Sequence, residues 1–246
     1  MSTFAQYAAA SYVVLNEESE NDYLQLESVW QAYHKEANPM GRKAGWSIWK
    51  IAKNGDDSYE PGTYPDYLIL EQYSSKEQMD EEFVRYGEDY EGMKAIMKKN
   101  LKGKYSNKQI ENILAKAPKK EVRTYIHERV TSTPMTDGDL KVGDVMVATA
   151  MEQLRDDYEQ FETEFYRDLF AQNIIKGNHR FWGFSRIIDR NEAAYSAPTH
   201  TAWNMFIDGK ELELPDDFVS SKIYELTGNA RKSYIPQKIT LVYSGK

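Results

Sequence analysis

The sequence predicts an α+β fold: a tandem duplication of one βαββαβ unit, with two antiparallel four-stranded sheets packed face to face as an α+β barrel. Three observations predict it. First, "DYLQLESVWQAYHKEANPMGRKAGWSIWKI" (Asp22–Ile51) and "DYEQFETEFYRDLFAQNIIKGNHRFWGFSRI" (Asp157–Ile187) correspond position by position. Asp22 matches Asp157, Tyr23 matches Tyr158, Gln25 matches Gln160 and Glu27 matches Glu162; after a one-residue insertion Trp46 matches Trp182 and Ile51 matches Ile187. Second, the periodicities around each copy follow one order, strand–helix–strand–strand–helix–strand. Third, such a unit carries both helices on one face of its sheet. Its bare face bears aromatics worth roughly 1.5–3 kcal/mol each when fully buried, so a second copy is needed to cover it.

The elements follow in order. "SYVVLN" (Ser11–Asn16) is β-branched and aromatic and reads as a strand. Tyr23, Leu26, Trp30 and Tyr33 then fall at spacings of three and four, one stripe of a helix that Asn38-Pro39 should end. "AGWSIWKI" (Ala44–Ile51) and "DYLILEQYS" (Asp66–Ser74) are strands around a turn-rich hairpin loop, "NGDDSYEPGTYP". Ser75 caps the next helix, and Gly87–Lys120 reads as extra helices, with Ser106 and Gln109 forming a capping box. "EVRTYIHERV" (Glu121–Val130) closes the first unit, 7–132.

After the linker "TSTPMTDGDLKVGD" the second unit, 142–246, repeats the order. "VMVATAM" (Val145–Met151) is a strand and Asp156–Lys176 a long helix with Phe161, Phe165, Leu169 and Ile175 near one stripe. "RFWGFSRII" and "THTAWNMFI" pair as strands, "PDDFVSSKIYELTG" is a helix with proline in its first turn, and "QKITLVYSG" is the last strand.

Composition narrows the function. The chain of 246 residues carries 18 Tyr, 5 Trp and 9 Phe, side chains that line pockets as well as cores. A net charge of −8 argues against nucleic-acid or anionic-membrane partners, which need a concentrated positive field. The basic runs "KKNLKGK" and "KAPKK" read as solvated helix faces. With no cysteine there is no disulfide, thiolate nucleophile or Cys-ligated metal. Thr3 and Ala5 before Gln6 resemble the end of a bacterial secretory signal, without the regions that precede one. Export is expected if that stretch is a trimmed signal, and a cytoplasmic place otherwise.

Strand alternation suggests the barrel lining. Val122, Thr124 and Ile126 should meet the helices, leaving Arg123, Tyr125, His127 and Arg129 inside. In the third strand Leu68 and Leu70 should meet the helices, leaving Glu71 and Tyr73 inside. Trp182 and Arg186 share a face, as do His200 and Asn204, and these too are expected in the barrel, together with Trp46. Such buried polar groups must pair or bind something.

His127, Glu71 and Tyr73 are thus the candidate catalytic residues: histidine titrates near neutrality and the other two could complete an acid–base set. The competing readings are a structural histidine bonded to Glu71 or a tyrosine, and a salt bridge from Glu71 to Arg123 or Arg129. Arg123, Tyr125, Arg129, Trp46, Trp182, Arg186, His200 and Asn204 are the candidate ligand-binding residues. Trp46 and Trp49 point to opposite faces, so one of them is core. His34 reads as a surface or helix-packing residue and His179 as loop-exposed. The four histidines have no metal-ligand spacing, so no metal is predicted.

The stretch "YLQLESVWQAYHKE…GWSIWKI…YPDYLILEQYSS", with the duplication, resembles the dimeric α+β barrel superfamily of ferredoxin-like units in its fused two-repeat form. That group includes antibiotic-biosynthesis monooxygenase-like, NIPSNAP-like and chlorite-dismutase-like proteins; within it the chain is similar to uncharacterised bacterial proteins. The resemblance implies a small molecule held between the repeats, in a binding protein or a cofactor-independent, monooxygenase-like enzyme. The alternatives are a filled, non-catalytic barrel that binds a partner, a homodimer among the arrangements open to it, and a haem enzyme. Haem would require, by the same resemblance, a proximal histidine in the region of the second repeat's first helix. "DYEQFETEFYRDLFAQNIIKG" has none, so His179 or His200 would have to substitute, and no cofactor is predicted.

Overall fold

The computed structural model describes residues 5–53 and 64–245. The order is β1 (Tyr7–Leu15), α1 (Glu20–Ala37), β2 (Gly45–Ile51), β3 (Tyr67–Tyr73), α2 (Lys76–Glu88), α3 (Tyr90–Asn100), α4 (Asn107–Leu114) and β4 (Lys119–Ser132). Then come β5 (Val145–Gln153), α5 (Tyr158–Gln160), a π-helical stretch (Phe161–Tyr166), α6 (Arg167–Ile175), β6 (His179–Arg190), β7 (His200–Phe206), α7 (Phe218–Ala230), β8 (Arg231–Ser233) and β9 (Gln237–Ser244). The expected hairpin loop lies mostly, and the signal-like start partly, outside the described residues. Among the described residues no helix is long and apolar enough to cross a membrane.

The strands form one sheet in the order β7-β6-β4-β1-β3-β2-β9-β5-β8, and β7 also pairs with β5, so eight strands close into an antiparallel barrel. The expected α+β barrel is present, built as one continuous sheet in place of two four-stranded sheets packed face to face. β4 hydrogen-bonds β6 and β2 hydrogen-bonds β9, so both seams between the halves are continuous ladders. Closure leaves no barrel strand with an unpaired edge. Within each half the order is fourth, first, third, second strand: β4-β1-β3-β2, and β9-β5-β7-β6.

Local chemistry explains the element ends. β1 begins four residues before the expected strand, because Ala8, Ala9 and Ala10 pair on both sides despite alanine's low strand preference. α1 ends at Ala37, with Asn38 as its C-cap directly before Pro39, as expected. The chain turns at Gly41, where φ is +74° and the Gly41 and Arg42 amides donate to the Asn38 and Ala37 carbonyls. α6 ends alike: Gly177, at φ +75°, and Asn178 donate to the Ile174 and Asn173 carbonyls. Both are the glycine-terminated motif in which only a residue tolerant of the left-handed region closes the last turn. The Ser106–Gln109 capping box is present, and Asp217, not Pro215, starts α7 by accepting from the Val219 and Ser220 amides. β8 has no counterpart in the sequence reading.

Helices cover the outside and side chains fill the inside. Trp49, Leu68, Leu70, Met205, Ile239 and Leu241 make the apolar core within the barrel. On the first half α3 and α4 close over α1 through Leu26, Val29, Met93, Met97 and Ile110. Where helices pack outside, as over Trp46 on β2 and Trp182 on β6, the strand is therefore buried on both faces.

Candidate functional site

The hollow in the barrel starts from small residues. The first strand of each half places alanine at successive inward positions, Ala8 and Ala10 on β1 and Ala148 and Ala150 on β5. Methyl groups there cannot reach the opposite wall. Around Ala148 and Ala150 one end of the barrel holds a cavity of about 690 Å³, within the usual range for sites that enclose a small organic molecule. Tyr12, Tyr64, Tyr125, Tyr195 and Tyr234 supply aromatic walls, joined by Arg123 and His127.

A loop is pinned over this end. Arg190 donates to the carbonyls of Tyr195 (2.6 Å), Ser196 (2.6 Å) and Pro198 (3.0 Å). Asn191 accepts from the Thr124 amide and donates to the Val122 carbonyl. Together they hold Tyr195, Ala197 and Pro198 against the cavity. The Tyr195 amide donates to the Tyr125 hydroxyl at 3.0 Å. The Arg123 guanidinium lies 4.8 Å from the Tyr195 ring centroid and is bonded by Glu121.

His127 is the central group. Its Nδ1 lies 3.0 Å from Ser185 Oγ. That oxygen also accepts from Trp203 Nε1 (3.0 Å) and donates to the Thr201 carbonyl (3.3 Å). With the serine's one proton assigned to Thr201, Nδ1 is assigned as the protonated ring nitrogen that donates to Ser185. Nε2 then carries a lone pair that no described residue bonds, on a ring that lines the cavity. Burial lowers the His127 pKa to about 3, with His200 and Arg190 pushing the same way, so the imidazole is neutral at physiological pH. The Tyr12 hydroxyl is likewise without a bond among the described residues; burial raises its pKa.

Of the predicted site residues, Arg123, Tyr125, His127 and Arg129 do face the interior. The others lie on the helix side. Glu71 accepts from Lys43 Nζ at 2.6 Å and from the Tyr86 hydroxyl, and Lys43 lies 3.6 Å from Glu82 and 5.8 Å from the Tyr73 ring centroid. Tyr73 packs on Met79 of α2, and Trp46 stacks on His34 of α1 at 4.4 Å. Trp182 stacks on Phe170 at 5.2 Å. Arg186 makes a two-pronged bond to Glu159 (2.6 Å each), which also meets His200 Nε2 at 2.9 Å. Asn204 alternates with the inward Trp203 and Met205 and so shares this outer face. Neither Glu71 nor Tyr73 can act with His127. His179 is not loop-exposed but fully buried between Phe170 and Phe206.

The physical reason is that both faces are buried. On a half-exposed strand, apolar alternation marks the covered face; on a strand screened twice it does not. Leu68 and Leu70 fill the barrel, while polar Glu71 is matched outside by Lys43. Ser185, Trp203 and Lys43 were missed. Once Trp182 and Phe184 are known to face helices, parity alone puts Ser185 inside.

No protein-family model matches the chain, and a search of curated proteins finds no match. Solved structures do match in fold. An anthrone oxidase-like protein aligns with a TM-score of 0.52 at 9% identity, covering 97% of this chain and 91% of its own. A proposed monooxygenase from Fusobacterium nucleatum gives 0.55 at 8%, covering 98% and 94%. One from Lactobacillus acidophilus gives 0.51 at 11%, covering 98% and 95%. At such identities these likenesses establish the α+β barrel fold alone.

The residues do not fit the haem alternative. The outer face of β6 and β7 is filled by Trp182, Phe184 and Phe170. Both His200 nitrogens are engaged, by Thr199 and Glu159, and His179 is wedged between phenyl rings. Among the described residues no cluster of three or more His, Asp or Glu could hold a metal ion.

Proposed function

We propose that the barrel binds a planar, hydroxylated aromatic molecule and that His127 Nε2 takes a proton from it, in a monooxygenase-like reaction that needs no cofactor. The observation that carries this reading is a buried, neutral histidine in the wall of an aromatic cavity whose Nε2 is bonded by no described residue. Matching strand orders in the two halves support an origin by duplication of a ferredoxin-like unit. The names of the structural neighbours support the reaction class.

A histidine with a pKa near 3 is a weak base in the empty site. A proton passed to it leaves an anion beside the new imidazolium. At about 4 Å and an effective dielectric of about 20, that pair is worth about 4 kcal/mol, or about three pKa units. The base thus strengthens as the ligand ionises, and Arg123 adds positive field. For a ring methylene, Nε2 takes the C–H proton, the carbanion's electrons pass to dioxygen to form a peroxide, and loss of water leaves the carbonyl. One oxygen atom ends in the product and one in water.

The test uses 1,8-dihydroxyanthrone, with its stable anthraquinone analogue for binding. Saturable quenching of protein fluorescence and oxygen uptake above the protein-free rate are expected. His127→Ala should keep binding within about tenfold and lose the uptake, and Ala150→Phe, which fills the cavity, should lose both. Absence of binding to the unmodified protein, or uptake undiminished in His127→Ala, overturns the reading.

A further inference from the structure

Along β4 the interior changes hands at His127. Arg123 and Tyr125 line the large cavity, Arg129 and Ser132 line a second hollow of about 120 Å³, and His127 lines both. The second hollow opens at the other end of the barrel, beside Gln6 and Tyr7. Leu70, Met146, Phe181 and Trp203, all part of the barrel core, form its apolar wall. Ala8, which pairs with His127 on one side and Gln72 on the other, leaves the space open.

Size and chemistry restrict what this hollow holds. It cannot take a multi-ring molecule. Apolar cavities of about 150 Å³ stay dry and take up benzene or xenon, whereas a bound water needs two to four polar partners. Gln6, Gln72, Arg129 and Ser132 also line the hollow, Gln6 bonded to the Arg129 carbonyl, while within the apolar wall the Ser185 oxygen is already engaged by His127, Trp203 and Thr201. A small apolar molecule next to the imidazole is what the walls favour.

We propose that this hollow is a dioxygen subsite, which brings the gas to His127 from the end of the barrel opposite the organic ligand. The proposal rests on the oxygen-consuming reading above and gives its second reactant a separate place. A separate place lets dioxygen reach the reacting carbon while the aromatic molecule blocks the larger opening.

The experiment is methyl NMR of the full chain labelled with 13C-methyl methionine, under dioxygen pressure and without organic ligand. Dioxygen is paramagnetic and relaxes the methyl groups it visits. Met146, in the hollow's wall, should show at least threefold more relaxation than Met79 and Met93, which are buried beneath helices. Ala8→Leu should remove that excess while leaving the effects at Met79 and Met93, which report that the variant is folded. Relaxation at Met146 equal to that at Met79 and Met93, or an excess unchanged in Ala8→Leu, overturns the subsite. Because no organic ligand is present, the result is independent of the function test. An excess at Met146 without oxidation of the anthrone leaves the gas site standing and removes the reading it serves. Oxidation without the excess does the reverse.

Discussion

Acidification from pH 7.5 to 5.5 should weaken the fold steeply, and replacing His127 should remove a measurable part of that loss. Burial holds His34 well below its ordinary value, His127 at about 3 and His179 at about 4. In the unfolded chain each takes up a proton near pH 6.5. A lowered histidine contributes stability that is fully present above pH 6.5 and lost as pH falls. The loss continues down to about 3 for His127 and about 4 for His179. One pH unit below 6.5, each costs about 1.4 kcal/mol, so the three together cost about 4 kcal/mol, a large share of an ordinary domain's stability. Burial also lowers His200, against its bond to Glu159. Burial raises Glu27 and Glu162, whose protonation runs in the opposite sense, so the total alone is not diagnostic. His127→Asn, whose amide can still donate to Ser185, isolates one site. Urea unfolding at both pH values should show the variant losing about 1.4 kcal/mol less than the parent on acidification. An equal loss in both, or an NMR titration of His127 near pH 6.5, would refute the argument and the neutral base built on it.

Two further outcomes test the surroundings. Lys43→Met leaves Glu71 and Glu82 without their shared cation and should cost about 3–5 kcal/mol in urea unfolding, the usual consequence of breaking a buried ion pair; a loss below about 1 kcal/mol would show the cluster to be as weak as a surface pair. Arg190→Ala removes three bonds to the loop over the cavity and should weaken binding of the anthraquinone probe about tenfold. Unchanged affinity in a variant that unfolds like the parent would show that the loop is held by other means.

How much was legible depended on which faces were wet. The apolar stripe of α1, the capping box at Ser106 and the correspondence of Trp46 with Trp182 could be read directly, because they rest on local patterns. The inward set on β4 was also readable, since Val122 and Ile126 contrast with Arg123 and His127. The same rule inverted β3 and misplaced Trp182, Arg186, His200 and Asn204, because helices outside and core inside screen both faces of these strands. Lys43 lies before β2 in "GRKAGW", where nothing in the sequence marks a buried cation; only the approach of Glu71, Glu82 and Tyr86 does. The tautomer of His127 depends on Ser185, Thr201 and Trp203, from two other strands, and no local pattern could reveal it.

The two seams explain why a chain of two similar halves has one candidate site. Each seam joins the second strand of one half to the fourth strand of the other: β2 with β9, and β6 with β4. At the first, Trp49, Ile51, Ile239 and Leu241 point inward and fill the space between them. At the second, the inward positions carry Tyr125, His127, Ser185 and Ile187 instead, and the barrel is hollow on both sides of His127. Closing the ring needs both ladders, but filling either seam with aliphatic and indole groups satisfies the apolar core. One seam can therefore supply burial for the whole barrel while the other carries a histidine and two arginines whose desolvation would be costly if every position had to stabilise the fold. On this view the difference between the seams, rather than their likeness, is where the chemistry of this chain resides.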